Sequence, residues 1–182
     1  SYANPWCMAS VLVVGGAGYV GSSVAAHLLD RGDDVWILDD LSTGHRALVL
    51  DEVYRAGKFI EARAGDTTVV EPLLGSHRFE AVFHFAAKSQ VGESVRIPDV
   101  YFENNVDQTR LLLGSMAKTG VRKFVFSSTA AVYGDPGDQG PDFAISEDFR
   151  KQPVNPYGET KLAVERIMEE EAKRSGLHSI AL

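Results

Sequence analysis

The sequence contains a single cysteine, Cys7, in 182 residues. An intramolecular disulfide is therefore excluded, and a reducing, cytoplasmic setting is expected. Basic residues form no patch or run, and the net charge is −7. That excludes the electrostatic footprint of a nucleic-acid binder. No apolar stretch approaches the ~20 residues that a membrane span requires. No basic segment followed by an apolar one opens the chain, so no signal peptide is expected and no membrane partner either. His, Cys, Asp and Glu nowhere fall at metal-ligand spacing, so no metal is expected. There are no repeats and no low-complexity segments. Ser1–Cys7, ahead of Met8, read as a tag or disordered lead-in and stay outside the fold argument.

Hydrophobic residues make up 45% of the chain, enough for one sizeable core. They come as short continuous runs alternating with helix-period segments. Strands are predicted at Val11–Val14, Val35–Leu38, Phe59–Ala62, Ala81–Phe85, Lys123–Ser127 and His178–Leu182. Continuous rather than alternating apolar runs suit parallel strands buried on both faces. Helices are predicted at Tyr19–Arg31, Thr67–Leu74, Asp99–Lys118 and Tyr157–Arg174, with Gly32, Gly120 and Gly176 as stops after three of them. The alternation implies an α/β doubly wound parallel sheet of the Rossmann type, with about six strands over residues 8–182. Ligands of such sheets bind at the carboxyl ends of the strands. Gly134–Pro141 reads as a loop beside that site.

The first strand runs into Gly15-Gly16-Ala17-Gly18-Tyr19-Val20-Gly21. Glycines at 15, 18 and 21 leave backbone N–H groups bare at a helix N-terminus, where a pyrophosphate can sit against the helix dipole. The spacing is G-x-x-G-x-x-G rather than G-x-G-x-x-G, and a plain strand–helix turn is the competing reading.

Asp39 ends the second strand. Its carboxylate can accept ribose hydroxyls and repel a 2′-phosphate, which favours NAD over NADP, and Asp40 adds to that repulsion. Capping of the next turn is the alternative. Asp66 can meet an adenine amino group, cap the helix starting at Thr67, or do both. Tyr157 and Lys161, four apart, share a helix face. A free tyrosine, with a pKa of about 10, is a poor base at neutral pH. An adjacent ammonium stabilises the phenolate, and Lys161 can also hold the nicotinamide ribose. The fifth strand ends in three hydroxyls, Ser127, Ser128 and Thr129. One of them, with Ser128 and Thr129 as candidates, can bond a substrate oxygen, and Tyr133 can support it. A serine-rich strand end satisfying backbone groups is the alternative. His84, inside an apolar strand, reads as a satisfied core histidine.

Several stretches resemble the extended short-chain dehydrogenase/reductase family and, within it, the UDP-glucose 4-epimerase group. They are residues 15–21, Asp-Asp-Leu-Ser-Thr-Gly-His (39–45), His-Phe-Ala-Ala-Lys-Ser-Gln-Val-Gly-Glu-Ser (84–94), Asn-Asn-Val (104–106), Ser-Ser-Thr-Ala-Ala-Val-Tyr-Gly (127–134) and Asn-Pro-Tyr-Gly-Glu-Thr-Lys (155–161). The resemblance implies Tyr19 and Val20 over the pyrophosphate of NAD. It implies Asp39, Asp40, Leu41, Ser42, Thr43 and Gly44 around the adenosine ribose, and Asp66 and Thr67 near the adenine. Phe85, Ala86, Ala87, Lys88 and Ser89 would line the cofactor, and Asn105 would approach it. Thr129, Tyr157 and Lys161 would be catalytic, and Ser128, Thr129 and Tyr157 would meet a UDP-sugar. Related dehydratases carry Asp-Glu where this chain has Ala130-Ala131, so the resemblance implies epimerisation at C4 through a 4-keto sugar. The family normally continues into a substrate domain, expected to be absent here, so the chain alone is expected to be weak or inactive. A silent NAD-binding fragment, or another nucleotide-sugar enzyme of the family, are the alternatives. The family also implies a homodimer through helices 99–118 and 157–174, with Phe102, Val106, Leu113, Ala117, Val164, Ile167 and Met168 as the apolar stripes, although such stripes are more often plain core.

Overall fold

The computed structural model describes residues 8–137 and 143–182. The expected lead-in 1–7 and the far part of the loop predicted at Gly134–Pro141 lie outside them. Six strands form one parallel sheet: β1 (Ser10–Val14), β2 (Asp34–Asp39), β3 (Phe59–Glu61), β4 (Ala81–His84), β5 (Lys123–Phe126) and β6 (His178–Ala181). Their spatial order is β3-β2-β1-β4-β5-β6. The order reverses between β1 and β4, and a parallel sheet opens a crevice at that point.

Side chains alternate along each strand, so successive residues feed opposite faces. Leu12, Val14, Leu38 and Val82 enter one core, with Val70, Leu73 and Leu74 of α3 (Thr67–Ser76), Leu112, Leu113 and Met116 of α6 (Gln108–Thr119), and Val164, Ile167 and Met168 of α7 (Pro156–Ser175). Val11, Val13, Val35 and Ile37 enter the other, under Ala25 and Leu28 of α1 (Tyr19–Asp30) and Val53 of α2 (Asp51–Arg55). Both faces are covered, which is why the strands read as unbroken apolar runs. Among the described residues, no helix is long and apolar enough to cross a membrane.

Several features differ from the sequence prediction, among them the unpredicted α2. Val91–Arg96 forms a short helix, α4. The helix predicted at 99–118 is α5 (Pro98–Phe102), a π-helical stretch Glu103–Asp107, then α6. The extra residue of a π turn shifts the helix face, and here the shift carries Asn105 into the interior. Of the apolar stripes, which could equally be plain core, Val106, Leu113, Val164, Ile167 and Met168 are buried in this chain's own core, while Phe102 is exposed. Gly120 and Gly176 do end α6 and α7 in the left-handed conformation, and Gly32 follows α1 at φ +95°.

Candidate functional site

At the switch point lies a cleft of about 390 Å³. Its floor is the glycine turn. Gly15 has φ +82°, and a Cβ there would lie 2.3 Å from the Ala86 nitrogen. A Cβ on Gly21 would lie 2.1 Å from the Gly15 carbonyl oxygen. Only glycine lets α1 start this close to the strand ends. The helix then opens on Tyr19, 86% exposed, and Val20, with no side chain capping its N-terminus. The bare amides of that first turn and the helix dipole suit a phosphate pair.

Asp39 forms the next part of the wall and is almost fully buried. Its Oδ2 accepts the Ala17 amide at 2.9 Å and its Oδ1 the Leu41 amide at 2.9 Å. Burial raises its pKa above the usual carboxylate value, and the Asp40 charge raises it further. The two amides act in the opposite direction, and each oxygen keeps a second lone pair for a ligand hydroxyl. Asp40, Ser42, Thr43 and Gly44 line the cleft beside it. Leu41 sits at φ +56° and is not part of the lining.

The opposite wall is the segment after β4, Phe85 to Ser89. Asn105, expected to approach a cofactor, supports this wall from behind. Its Oδ1 accepts the Lys88 amide at 2.8 Å, and its Nδ2 donates to the Lys88 carbonyl at 2.9 Å and to Thr160 Oγ1 at 3.1 Å. Its neighbour Asn104 reaches the cleft in its place.

Tyr157 and Lys161 enter from α7. Asn155 caps that helix by accepting the Gly158 amide at 2.9 Å, and Ser94 Oγ accepts the Tyr157 amide at 3.2 Å. Lys161 is 3% exposed. Its Nζ donates to the Ser127 carbonyl at 2.7 Å, lies 4.7 Å from the Phe126 ring centre and 5.9 Å from that of Tyr157. Burial pulls its pKa down to about 8.

Successive residues of the β5 end point to opposite sides, and this alternation separates Ser127 from Ser128. Ser127 lines the cleft, whereas the Ser128 hydroxyl turns away and donates to Glu165 of α7. Glu165 also pairs with Lys151 at 2.6 Å. Thr129 lies beyond the lining, where its Oγ1 accepts the Ala131 amide at 3.2 Å and caps a 3-10 turn at Ala130–Tyr133. Asp66 and Thr67 also stay out of the lining. Asp66 Oδ1 accepts the Thr68 amide at 3.1 Å and its hydroxyl at 2.6 Å, so the capping alternative is realised.

His84 is fully buried below Lys161. Thr109 Oγ1 donates to the Asn105 carbonyl at 2.7 Å, so it accepts from His84 Nε2 at 2.8 Å. That bond places the proton on Nε2. Nδ1 has no partner among the described residues, so the expected satisfaction reaches one nitrogen only. Burial first, and then the Lys161 charge, push its pKa down to about 3, so the ring is neutral.

The model of the NAD dependent epimerase/dehydratase family matches residues 11–182. The chain belongs to that family. It is 46% identical over 172 residues to a protein named UDP-glucose 4-epimerase from Streptomyces lividans, covering 94% of this chain and 50% of that protein. The solved structure of the Brucella ovis UDP-glucose 4-epimerase in complex with NAD superposes with a TM-score of 0.87 at 38% identity, covering 95% of this chain and 50% of that one. The Thermotoga maritima UDP-glucose 4-epimerase with UDP-glucose gives 0.85 at 35% identity, over 94% and 54%. The chain thus spans about half the length of the relatives it matches.

Within this member of the family, sequence reasoning missed Arg63, Asn104, Gln108 and Ser127 among the lining residues. Ser127 carried a signal as the first of the three hydroxyls at a strand end, and Asn104 as part of the Asn-Asn-Val stretch; Arg63 and Gln108 carried none. The low pKa of Lys161 has a testable consequence. The unfolded chain holds this proton up to about pH 10.4, the folded chain only up to about 8. Between those values the unfolded state binds more protons, so this group makes stability rise with pH. The urea midpoint of the wild type minus that of Lys161→Met is expected to rise from about pH 8 to about pH 10. A flat difference would show that Lys161 titrates elsewhere. The cation that favours a phenolate is present below this window and lost within it.

Proposed function

We propose that this chain is the cofactor-holding part of an enzyme that inverts C4 of a UDP-hexose, glucose against galactose, through a 4-keto sugar. The observation that carries the reading is the meeting of three devices in one cleft: the glycine turn under α1, the buried Asp39, and the pair Tyr157 and Lys161. The cleft fits NAD because the turn has room for no Cβ at Gly15 or Gly21, and Asp39 meets the ribose end with a carboxylate.

When bound, NAD supplies a reversible two-electron acceptor for the C4 hydrogen of the sugar. Tyr157 takes the proton of the sugar 4-hydroxyl. Lys161, fixed by the Ser127 carbonyl, supplies the charge that stabilises the phenolate and aligns the ribose. Thr129, whose oxygen accepts one amide and whose own proton stays available, hydrogen-bonds the sugar oxygen from the side. Ala130 and Ala131 stand where related dehydratases carry Asp-Glu, which favours epimerisation over removal of water. A homodimer would use the exposed apolar side chains Val95, Val100, Phe102 and Leu111 rather than the buried stripes.

The test is an intact mass of the purified chain, native and then denatured. One NAD per chain above 19.8 kDa, released on denaturation, is the expected result. A bare chain in both states, even after incubation with NAD, would sink the reading.

A further inference from the structure

The corner of the cleft between β2 and β3 holds two contradictory signals. The strands run in register, with Asp39 opposite Glu61, and Asp40, one residue past β2, and Arg63, two residues past β3, line the same corner. An acidic residue at this place accepts the ribose hydroxyls of NAD, and an arginine nearby receives the 2′-phosphate of NADP. This chain has both.

The contradiction is resolved from the π turn. Arg63 Nη2 donates to both carboxylate oxygens of Glu103, at 2.8 Å each. Glu103 Oε1 also accepts Gln108 Nε2 at 2.9 Å, and Gln108 Oε1 in turn accepts the Gly65 amide at 3.0 Å. Glu103 is therefore held at both ends, and it does not line the cleft itself. Both partners are about half exposed, 47% and 48%. An ion pair that open contributes little to stability. It still decides where the guanidinium points and what charge it presents.

We infer that Glu103 is a specificity-determining residue for the cofactor: by occupying Arg63 it denies a 2′-phosphate its cation and leaves the rejection by Asp39 unopposed. The inference rests on the NAD reading of the cleft. It explains why the chain tolerates an arginine at a corner where Asp40 adds a second negative charge.

Isothermal titration of the 182-residue chain with NAD+, NADP+ and the fragments 5′-AMP and 2′,5′-ADP tests it without reference to turnover. In Glu103→Gln, NADP+ and 2′,5′-ADP are expected to bind about fivefold to tenfold tighter, through a charge-assisted Arg–phosphate contact discounted for exposure. NAD+ and 5′-AMP are expected to change by less than about twofold, since neither carries the group that Arg63 would receive. The gain disappears in Glu103→Gln/Arg63→Ala. Arg63→Ala alone leaves NADP+ binding as in the wild type, because the guanidinium is already engaged. An unchanged NADP+/NAD+ ratio in Glu103→Gln overturns the inference, as does weaker NADP+ binding in Arg63→Ala. A wild-type chain that binds neither dinucleotide overturns the NAD reading, and this inference with it.

Discussion

Tyr157→Phe is expected to lower the rate at which a UDP-hexose reduces the bound cofactor by about 10²–10⁴-fold, the range for losing a general acid–base group. Its folding stability should stay near that of the wild type. The phenol oxygen has no hydrogen-bond partner among the described residues, and the anchoring bond from Ser94 reaches the backbone amide, which the substitution keeps. The ring still packs at the mouth of the cleft beside Lys161. A chemical defect is therefore separable from a structural one. The rate can be read from nicotinamide absorbance in the chain joined to the second half of the Streptomyces lividans relative, against the same chimera carrying Tyr157. A loss smaller than about tenfold would mean that another group moves the proton.

Gly15→Ala is expected to lower stability strongly. Two penalties act together there. At φ +82° a side chain costs roughly 1–2 kcal/mol. The added carbon would stand 2.3 Å from the Ala86 nitrogen and 2.7 Å from its Cα, and overpacking of that kind costs about 1–3 kcal/mol. Neither backbone yields easily. The Gly15 amide donates to the Leu38 carbonyl at 2.8 Å, and the Phe85 and Ala86 amides both donate to Val14. A loss of about 2–5 kcal/mol in urea unfolding follows from the sum. Gly32→Ala is the control. Gly32 sits at φ +95° with nothing within 4 Å of a Cβ, so it carries the backbone penalty alone. Equal losses for the two variants would show that the close approach to Ala86 has no energetic weight.

The sheet was legible because its signals are local. All six strands lie where continuous apolar runs predict them, to within a residue or so at their ends. The glycine turn was legible for the same reason, since three glycines between an apolar run and an amphipathic one encode the turn by themselves. Features that depend on distant partners were not legible. The break in the helix predicted at 99–118 exists because Asn105 turns inward toward Lys88 and Thr160, partners separated from it by many residues. That break sets which of Glu103, Asn104, Asn105 and Gln108 face the cleft, so the run Asn104-Asn105 could not tell which asparagine lines it. The choice between Ser127 and Ser128 turned on Glu165, one turn beyond Lys161 on α7 and invisible as a partner until the helix was docked. Asp66 had two readings of equal standing, and its bonds to Thr68 realise one of them.

Asn105 acts as a keystone in the mechanical sense. One side chain braces the Lys88 backbone from both its donor and its acceptor, and the same amide reaches Thr160, whose hydroxyl leans on the Tyr157 carbonyl at 2.7 Å. The wall behind the chemistry and the helix that carries it are thereby cross-braced into a single stiff frame. The lip at 40–44 has no such brace, being tied down by short-range bonds such as that from the Ser42 amide to Asp40. The lip at 40–44 is therefore the side of the cleft left freer to yield, and the distance between the Ala87–Ser89 wall and Tyr157 is the dimension that the architecture protects.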